Sequence, residues 1–354
     1  MKLIIAIIFC FINTIIARSQ VNSDSLRNII ASKNSVYTEK MNAFIHLVES
    51  YQLNNFDSAL IESDKALLIA RKNADSLYVA ILKRQIGVAN YFKGKYDIAA
   101  INFYEAISIL EKLSNQKELA TTYNDLAKLY RKTRDLDKAL DNYNKADKIF
   151  RQLKDTGGIA MILNESGVVF EYREDFEEAV KRYNTSMKLA ELTGDSLSIS
   201  YSLSNIAGVF VTEKKFELAE ENLLRTLRIR QILKDSFAIA LTYSDLGATM
   251  NAKGDYGKAI LYILESNRIA EKLNYPELQS NNFNELSLLY KKQGDFQSAY
   301  RYYVKRTTSR DSLFAIEKTK QIQELNARYE TEKKNSKLFT SRTGFGFKLI
   351  CLLV

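Results

Sequence analysis

Small apolar residues return at a fixed interval along this chain. Ala59, Ala99, Ala139, Ala179, Ala219, Ala259 and Ala299 stand 40 residues apart. Three residues before six of the seven lies an aromatic: Phe56, Tyr96, Phe176, Phe216, Tyr256 or Phe296, with Leu136 the exception. A second small position, at Gly87, Ala127, Gly167, Ala207, Gly247 and Ser287, precedes each later alanine by 12 residues. With apolar residues at helical spacing around both positions, each unit predicts two helices that cross where bulky side chains would hold them apart. A period of this length predicts a stacked array in which every unit hides its apolar face against its neighbours.

The polar positions keep the same beat. Gly94, Gly254 and Gly294 fall where the first helix of a unit should stop, because glycine adopts the left-handed conformation that ends a helix. Asp255 and Asp295 follow as caps, and Asp57, Asp97, Asp137, Glu177 and Glu217 place negative charge in the first turn of the second helix. Asp75, Asn115, Asp155, Asp195 and Asp235, again 40 apart, are N-cap residues for the next unit, and Pro276 suits a first turn. Helices such as Leu77 to Lys93 and Asp97 to Leu113 have about 17 residues, roughly 26 Å each. Seven such pairs, over residues 36–312, predict an all-α, right-handed superhelical solenoid whose first helices line the concave wall.

Tyr123, Leu126, Ala127, Tyr130, Ala139, Tyr143 and Ala146 fill a pattern of bulky residue, Leu-small, aromatic, Ala, aromatic and Ala. That pattern resembles the tetratricopeptide repeat (TPR). Leu163, Gly167, Phe170, Ala179 and Tyr183 fit it too, although Ser166 and Ser186 replace Leu and the last Ala, and the closing Pro of the family is missing. The 40-residue period is similar to the longer-helix subclass seen in kinesin light chain and several bacterial regulators. The resemblance implies a scaffold that seats a protein or peptide, and it leaves the partner open.

Composition and charge narrow the functions. The formal charge is +9, but residues 301–354 carry +7 of it, with twelve Lys/Arg and five Asp/Glu. The repeat array is nearly neutral and lacks the basic stripe of a nucleic-acid reader, so no nucleic-acid partner is expected. Both cysteines, Cys10 and Cys351, lie outside the array, which removes disulfides and thiolate metal sites from it. His46, the sole histidine, falls at the Leu slot of the first unit. The chain has neither a phosphate-cradling Gly loop nor a nucleophile elbow. Carboxylate pairs such as Glu177-Glu178 and Glu220-Glu221 fall on the outer helices. No enzymatic activity and no cofactor are expected.

If first helices line the groove, Asn124, Lys128 and Arg131 of the third unit face a partner. The fourth unit adds Asn164 and Tyr172, the fifth Tyr201, and the seventh Asn284 and Lys291. An Asn amide both donates to and accepts from an extended backbone, and Asn124, Asn164 and Asn284 share one repeat position. The alternative is that these amides are solvated or bonded between neighbouring helices. Lys128, Arg131 and Lys132 supply cations that could hold a carboxylate.

The ends carry separate expectations. Lys2, the apolar run Leu3 to Ile16 and the small residues around Ala17-Arg18-Ser19 predict a secretory signal over residues 1–19, hence an exported, periplasmic protein. An uncleaved membrane anchor is the alternative. Residues 20–35 form a lead. Residues 313–338 predict a charged connector helix with Ile322, Leu325 and Tyr329 at helical spacing, and 339–354 a basic and apolar tail. The run Glu324 to Lys334 resembles the connector after the repeats in exported, repeat-fronted bacterial sensor kinases and transcription regulators. By that resemblance the chain is a sensor or adaptor in envelope signalling, or the shortened input domain of such a membrane-bound protein. A third reading is a cytoplasmic peptide-sensing regulator. The tail's basic residues also suit weak contact with an anionic membrane surface, or a solvated end.

Overall fold

Most helices of the array begin and end by the same device, though those that follow Lys95, Lys215 and Tyr275 have no side-chain cap. The side chains of Asn55, Asp75, Asn115, Asp135, Asp155, Asp175, Asp195, Asp235, Asp255 and Asp295 each accept from a backbone N–H of the helix they precede, as N-caps do. Just before most of these caps, and before Lys95 and Lys215, stands a residue with positive φ: Ala74, Gly94, Ser114, Arg134, Lys154, Glu174, Gly194, Lys214, Lys234, Gly254 and Gly294, at multiples of 20 residues. The following N–H then reaches back to a carbonyl five residues earlier, as from Asp155 to Phe150 at 2.9 Å and from Asp195 to Ala190 at 2.9 Å. That bond closes a Schellman turn. One residue therefore ends a helix and caps the next, and the connection needs only three residues.

The computed structural model describes residues 23–52, 55–273 and 275–309, which fall into two units divided between Lys253 and Gly254. The predicted signal, connector and tail lie outside the described residues. The first unit holds α1 (Ser23–Ala31), α2 (Tyr37–Tyr51), α3 (Phe56–Lys72), α4 (Ser76–Phe92), α5 (Tyr96–Leu113), α6 (Gln116–Lys132), α7 (Leu136–Gln152), α8 (Thr156–Tyr172), α9 (Phe176–Thr193), α10 (Ser196–Thr212), α11 (Phe216–Ile232) and α12 (Ser236–Lys253). The second holds α13 (Tyr256–Lys272), α14 (Pro276–Lys292) and helical residues 296–309. The described residues include no strand. The fold is an all-α solenoid of helical hairpins.

Packing explains the alanines and the second small column. Ala59, Ala99, Ala139, Ala179, Ala219 and Ala259 are fully buried. A Cβ on Gly87 would lie 2.6 Å from the Phe103 ring, and one on Gly167 would lie 2.5 Å from the Tyr183 ring. Real carbon contacts sit near 3.5–4.0 Å, so a glycine beneath these buried rings is what lets the two helices of a hairpin close.

Two details depart from the sequence expectation. The lead contains α1, whose Leu26 packs with Ala43 and Leu47 of α2. His46 is not a core residue: its side chain is 63% exposed and lies 3.2 Å from Glu49. In α2 the buried positions are Met41, Ala43, Phe44, Leu47 and Val48. The cause is register, since four residues separate α2 from α3 where three separate α4 from α5, α6 from α7, α8 from α9 and α10 from α11, and one residue turns a helix by about 100°.

Candidate functional site

Consecutive helices pack against each other throughout the first unit, and α2, α4, α6, α8, α10 and α12 also touch one another in a row. No such row of contacts joins α3, α5, α7, α9 and α11. The first helices of the hairpins thus stand side by side and form the inner wall, leaving the second helices on the outside.

The wall over α4, α6 and α8 is ionic and internally balanced. Arg84 lies 3.2 Å from Asp125 and 3.6 Å from Glu118, Lys128 lies 3.5 Å from Asp125, and Arg131 donates to Glu165 at 2.9 Å. Glu165 is only 5% exposed. Lys128 and Arg131, expected to hold a partner's carboxylate, are engaged by carboxylates of the chain itself. A buried pair of this kind has its desolvation offset by its own counter-charge, which leaves little attraction for another anion.

Asn124 is buried at 1% exposure, and its Oδ1 has no hydrogen-bond partner. It lies beneath the surface on which a ligand would rest. Tyr143, on α7 behind it, is also fully buried, with its hydroxyl unbonded.

Over α8, α10 and α12 the wall changes character. Asn164 is half-buried, and its Oδ1 accepts from Asn205 Nδ2 at 3.2 Å and Ser202 Oγ at 3.4 Å. Its acceptor is therefore spent between helices, as the second expectation for these amides had it. Tyr172 is half-buried, with the Arg134 guanidinium 3.9 Å from its ring centre, and Tyr201 lies 5.9 Å from the guanidinium of Arg230. Gly208 sits mid-helix on α10, exposed, and no atom lies within 4 Å of where its Cβ would be. The structure thus brings Asn164, Tyr172 and Tyr201 onto adjoining helices. Asn284, which donates to Glu285 at 3.4 Å, and the exposed Lys291 belong to the second unit.

Two acids on this wall titrate out of range. Burial pushes the Glu171 carboxyl up to about 7, against the opposing pull of the Tyr183 hydroxyl that donates to it and of Arg131. Burial likewise pushes Asp245 up to about 6, opposed by the charge of Arg230. Glu171 holds a repeat position expected to face the groove, whereas Asp245, Asp125 and Glu165 were not singled out by sequence. The signal was present in the 40-residue column Gln85, Asp125, Glu165, Asn205, Asp245.

Among the described residues, no group of three or more His, Cys, Asp and Glu side chains is placed to hold a metal ion. No described helix is long and apolar enough to cross a membrane.

Residues 118–192 and 158–232 each match the family model described as tetratricopeptide repeat. No curated protein matches the sequence. Solved structures of similar fold include BtubC (BKLC) from P. vanneervenii, at 21% identity over 60% of this chain and 90% of that one, with a TM-score of 0.56. Another is the STAND protein with a tetratricopeptide repeat sensor, PH0952, from Pyrococcus horikoshii, at 16% identity over 86% of this chain, with a TM-score of 0.59. The match spans 50% of that protein's length. A third is the Rap protein complexed with Competence and Sporulation Factor, at 15% identity over 81% and 76% of the two chains, with a TM-score of 0.55. At these identities the likeness is one of fold.

Proposed function

Since the chain is a tetratricopeptide-repeat protein, we propose that it is a non-catalytic scaffold that seats an extended peptide, or an extended segment of a protein, along its inner wall. The observation that carries this reading is the contrast along that wall. The ionic stretch over α4 to α8 is balanced within itself, whereas the stretch over α8 to α12 offers half-buried aromatics, amides and hydroxyls beside the open space at Gly208. Main-chain recognition needs such groups, held on rigid helices and uncommitted to a particular sequence. Solved relatives in fold include a Rap protein bound to Competence and Sporulation Factor and the quorum sensor NprR from B. thuringiensis, which makes a peptide-sized ligand a natural probe.

The test is selection from a random peptide library displayed on phage, followed by affinity measurement with the synthesised peptides. Tyr172→Asp on α8 and Val211→Asp, at the repeat position of Arg131 on α10, should weaken binding at least tenfold, while Lys181→Ala and Arg225→Ala on outer helices should not. Equal effects from both faces, or no selected peptide, would sink the reading.

By the same proposal the protein works outside the cytoplasm as a sensor or adaptor in envelope signalling. Support comes from the apolar run Leu3 to Ile16 followed by small residues and from the resemblance of Glu324 to Lys334 to a signalling connector. A mature protein starting at Gln20 in an envelope fraction is the expected result. An intact Met1 in the cytosol would overturn it.

A further inference from the structure

The inner-wall column that carries Asp125 recurs every 40 residues as Gln85, Asp125, Glu165, Asn205 and Asp245. In the first four members a neighbouring side chain meets the polar head. Gln85 accepts from Gln52 at 2.6 Å and donates to Glu49 at 3.3 Å. Asp125 meets Arg84 and Lys128, Glu165 meets Arg131, and Asn205 meets Asn164. The Arg84–Asp125 and Asn164–Asn205 pairs show which way the column leans, toward the residue 41 positions earlier on the preceding first helix. The same spacing counted back from Asp245 reaches Ser204 of α10.

Asp245 breaks the series. Its backbone carbonyl accepts from Thr249 at 2.8 Å, but among the described residues its carboxylate accepts no hydrogen bond and enters no ion pair. The charge acting on it is that of Arg230 of α11, which is 2% exposed and whose terminal nitrogens donate to Ala238 O at 3.2 Å, Thr242 Oγ1 at 2.7 Å and Ser204 Oγ at 3.3 Å. Arg230 therefore favours the ionised form of Asp245 without filling its acceptor sites. A half-buried carboxylate with free acceptors gains more from a charged donor than from a neutral one.

What would complete it has room to arrive. Gly208 lies one helical turn beyond Ser204, with nothing within 4 Å of its missing side chain. A glycine exposed in mid-helix is about 1 kcal/mol worse than alanine, a cost matched by the close approach of another backbone that only glycine permits.

We infer that Asp245 is the counter-charge for one lysine or arginine side chain of a bound extended peptide, whose main chain passes over Gly208. The inference rests on the inner-wall reading of the function, and names the residue type that the peptide must carry. Charge-assisted bonds from an ammonium or guanidinium to a half-buried carboxylate would fix the register of a peptide otherwise held by its backbone.

The test uses the full chain and the peptides selected on it from the phage library. They should share one basic position, and replacing that residue by norleucine should weaken binding to the wild-type chain about tenfold or more. On Asp245→Asn the same replacement should make no difference, and Gly208→Leu should weaken every peptide. Circular dichroism checks that both variants fold; if either does not, the norleucine comparison on the wild-type chain decides alone. Peptides that need Tyr172 and Val211 but carry no basic residue, or that bind Asp245→Asn as well as wild type, overturn this inference and leave the groove intact. Absence of any selected peptide overturns both.

Discussion

Alanine at Gly167 and alanine at Gly208 make one chemical change on neighbouring first helices, with opposite expected signs. At Gly167 the new methyl would lie 2.5 Å from one carbon of the Tyr183 ring and 2.9 Å from two others, so the ring must retreat by about an ångström to reach ordinary contact. Tyr183 is fully buried and its hydroxyl donates to Glu171, which ties down the end of the ring that has to move. Overpacking of this kind costs about 1–3 kcal/mol, loosening the buried hydrogen bond adds about 1, and alanine returns about 1 through helix propensity. The net loss is about 1–3 kcal/mol.

At Gly208 the methyl meets nothing within 4 Å, so only the propensity gain of about 1 kcal/mol remains. Urea unfolding followed by far-ultraviolet circular dichroism at pH 7.5, fitted with a shared slope, should move the two midpoints in opposite directions. One repeat later the same two positions hold Ala207 and the smaller Leu223, so Gly167→Ala combined with Tyr183→Leu should lose less than the sum of the single changes. Equal shifts of the same sign, or strict additivity in the double variant, would refute the packing argument.

Glu171 should make stability depend on pH. Its folded pKa of about 7 lies above the ordinary carboxyl value of 4.5, so between those values the folded chain keeps a proton that the unfolded chain has lost, and stability falls as pH rises through the window. The upper bound is about 3 kcal/mol. Glu171→Gln keeps an acceptor for Tyr183, so it should match wild type near pH 4.5 and exceed it at pH 8; parallel pH profiles would remove Glu171 as the cause. Glu174 and Lys214 hold positive φ without being glycine, so Glu174→Gly and Lys214→Gly should each raise stability by about 0.5–1 kcal/mol in the same urea assay, additively. Asp195 accepts from Ser198 N at 3.1 Å and Ser198 Oγ at 2.7 Å, and Asp195→Ala should cost about 1 kcal/mol, visible as faster amide exchange at the start of α10.

The hairpins were legible because their determinants are local. A cap works within three residues and a small residue at a crossing acts at a fixed offset, so Asp75, Asn115, Asp155, Asp195 and Asp235 announce themselves at one period. Left-handed turn residues were legible only where they are glycine: Ala74, Arg134 and Lys154 adopt the same conformation with side chains that give no sign of it. The inner wall was the hardest part. Arg131 and Glu165 are 34 residues apart, Arg84 and Asp125 are 41 apart, and only the lean of one repeat on the next decides which cation meets which acid. For the same reason Asn124, an amide expected on the surface, is covered by its neighbours. His46 misled because the 40-residue ruler slips before residue 55, in the hairpin that begins the stack.

The three-residue turns set at every twentieth residue also govern how a chain of this kind can change length. Excising residues 155–194 would join Lys154, with φ of 53°, to Asp195, a cap equivalent to Asp155, so the splice would recreate a turn the chain already uses. Removing 39 or 41 residues instead would rotate the helix at the splice by about 100° relative to its neighbour and bring polar side chains to that crossing in place of the alanine. Gene duplication and recombination can therefore lengthen or shorten the groove only by whole units, and the reach of its binding surface is inherited in steps of one hairpin.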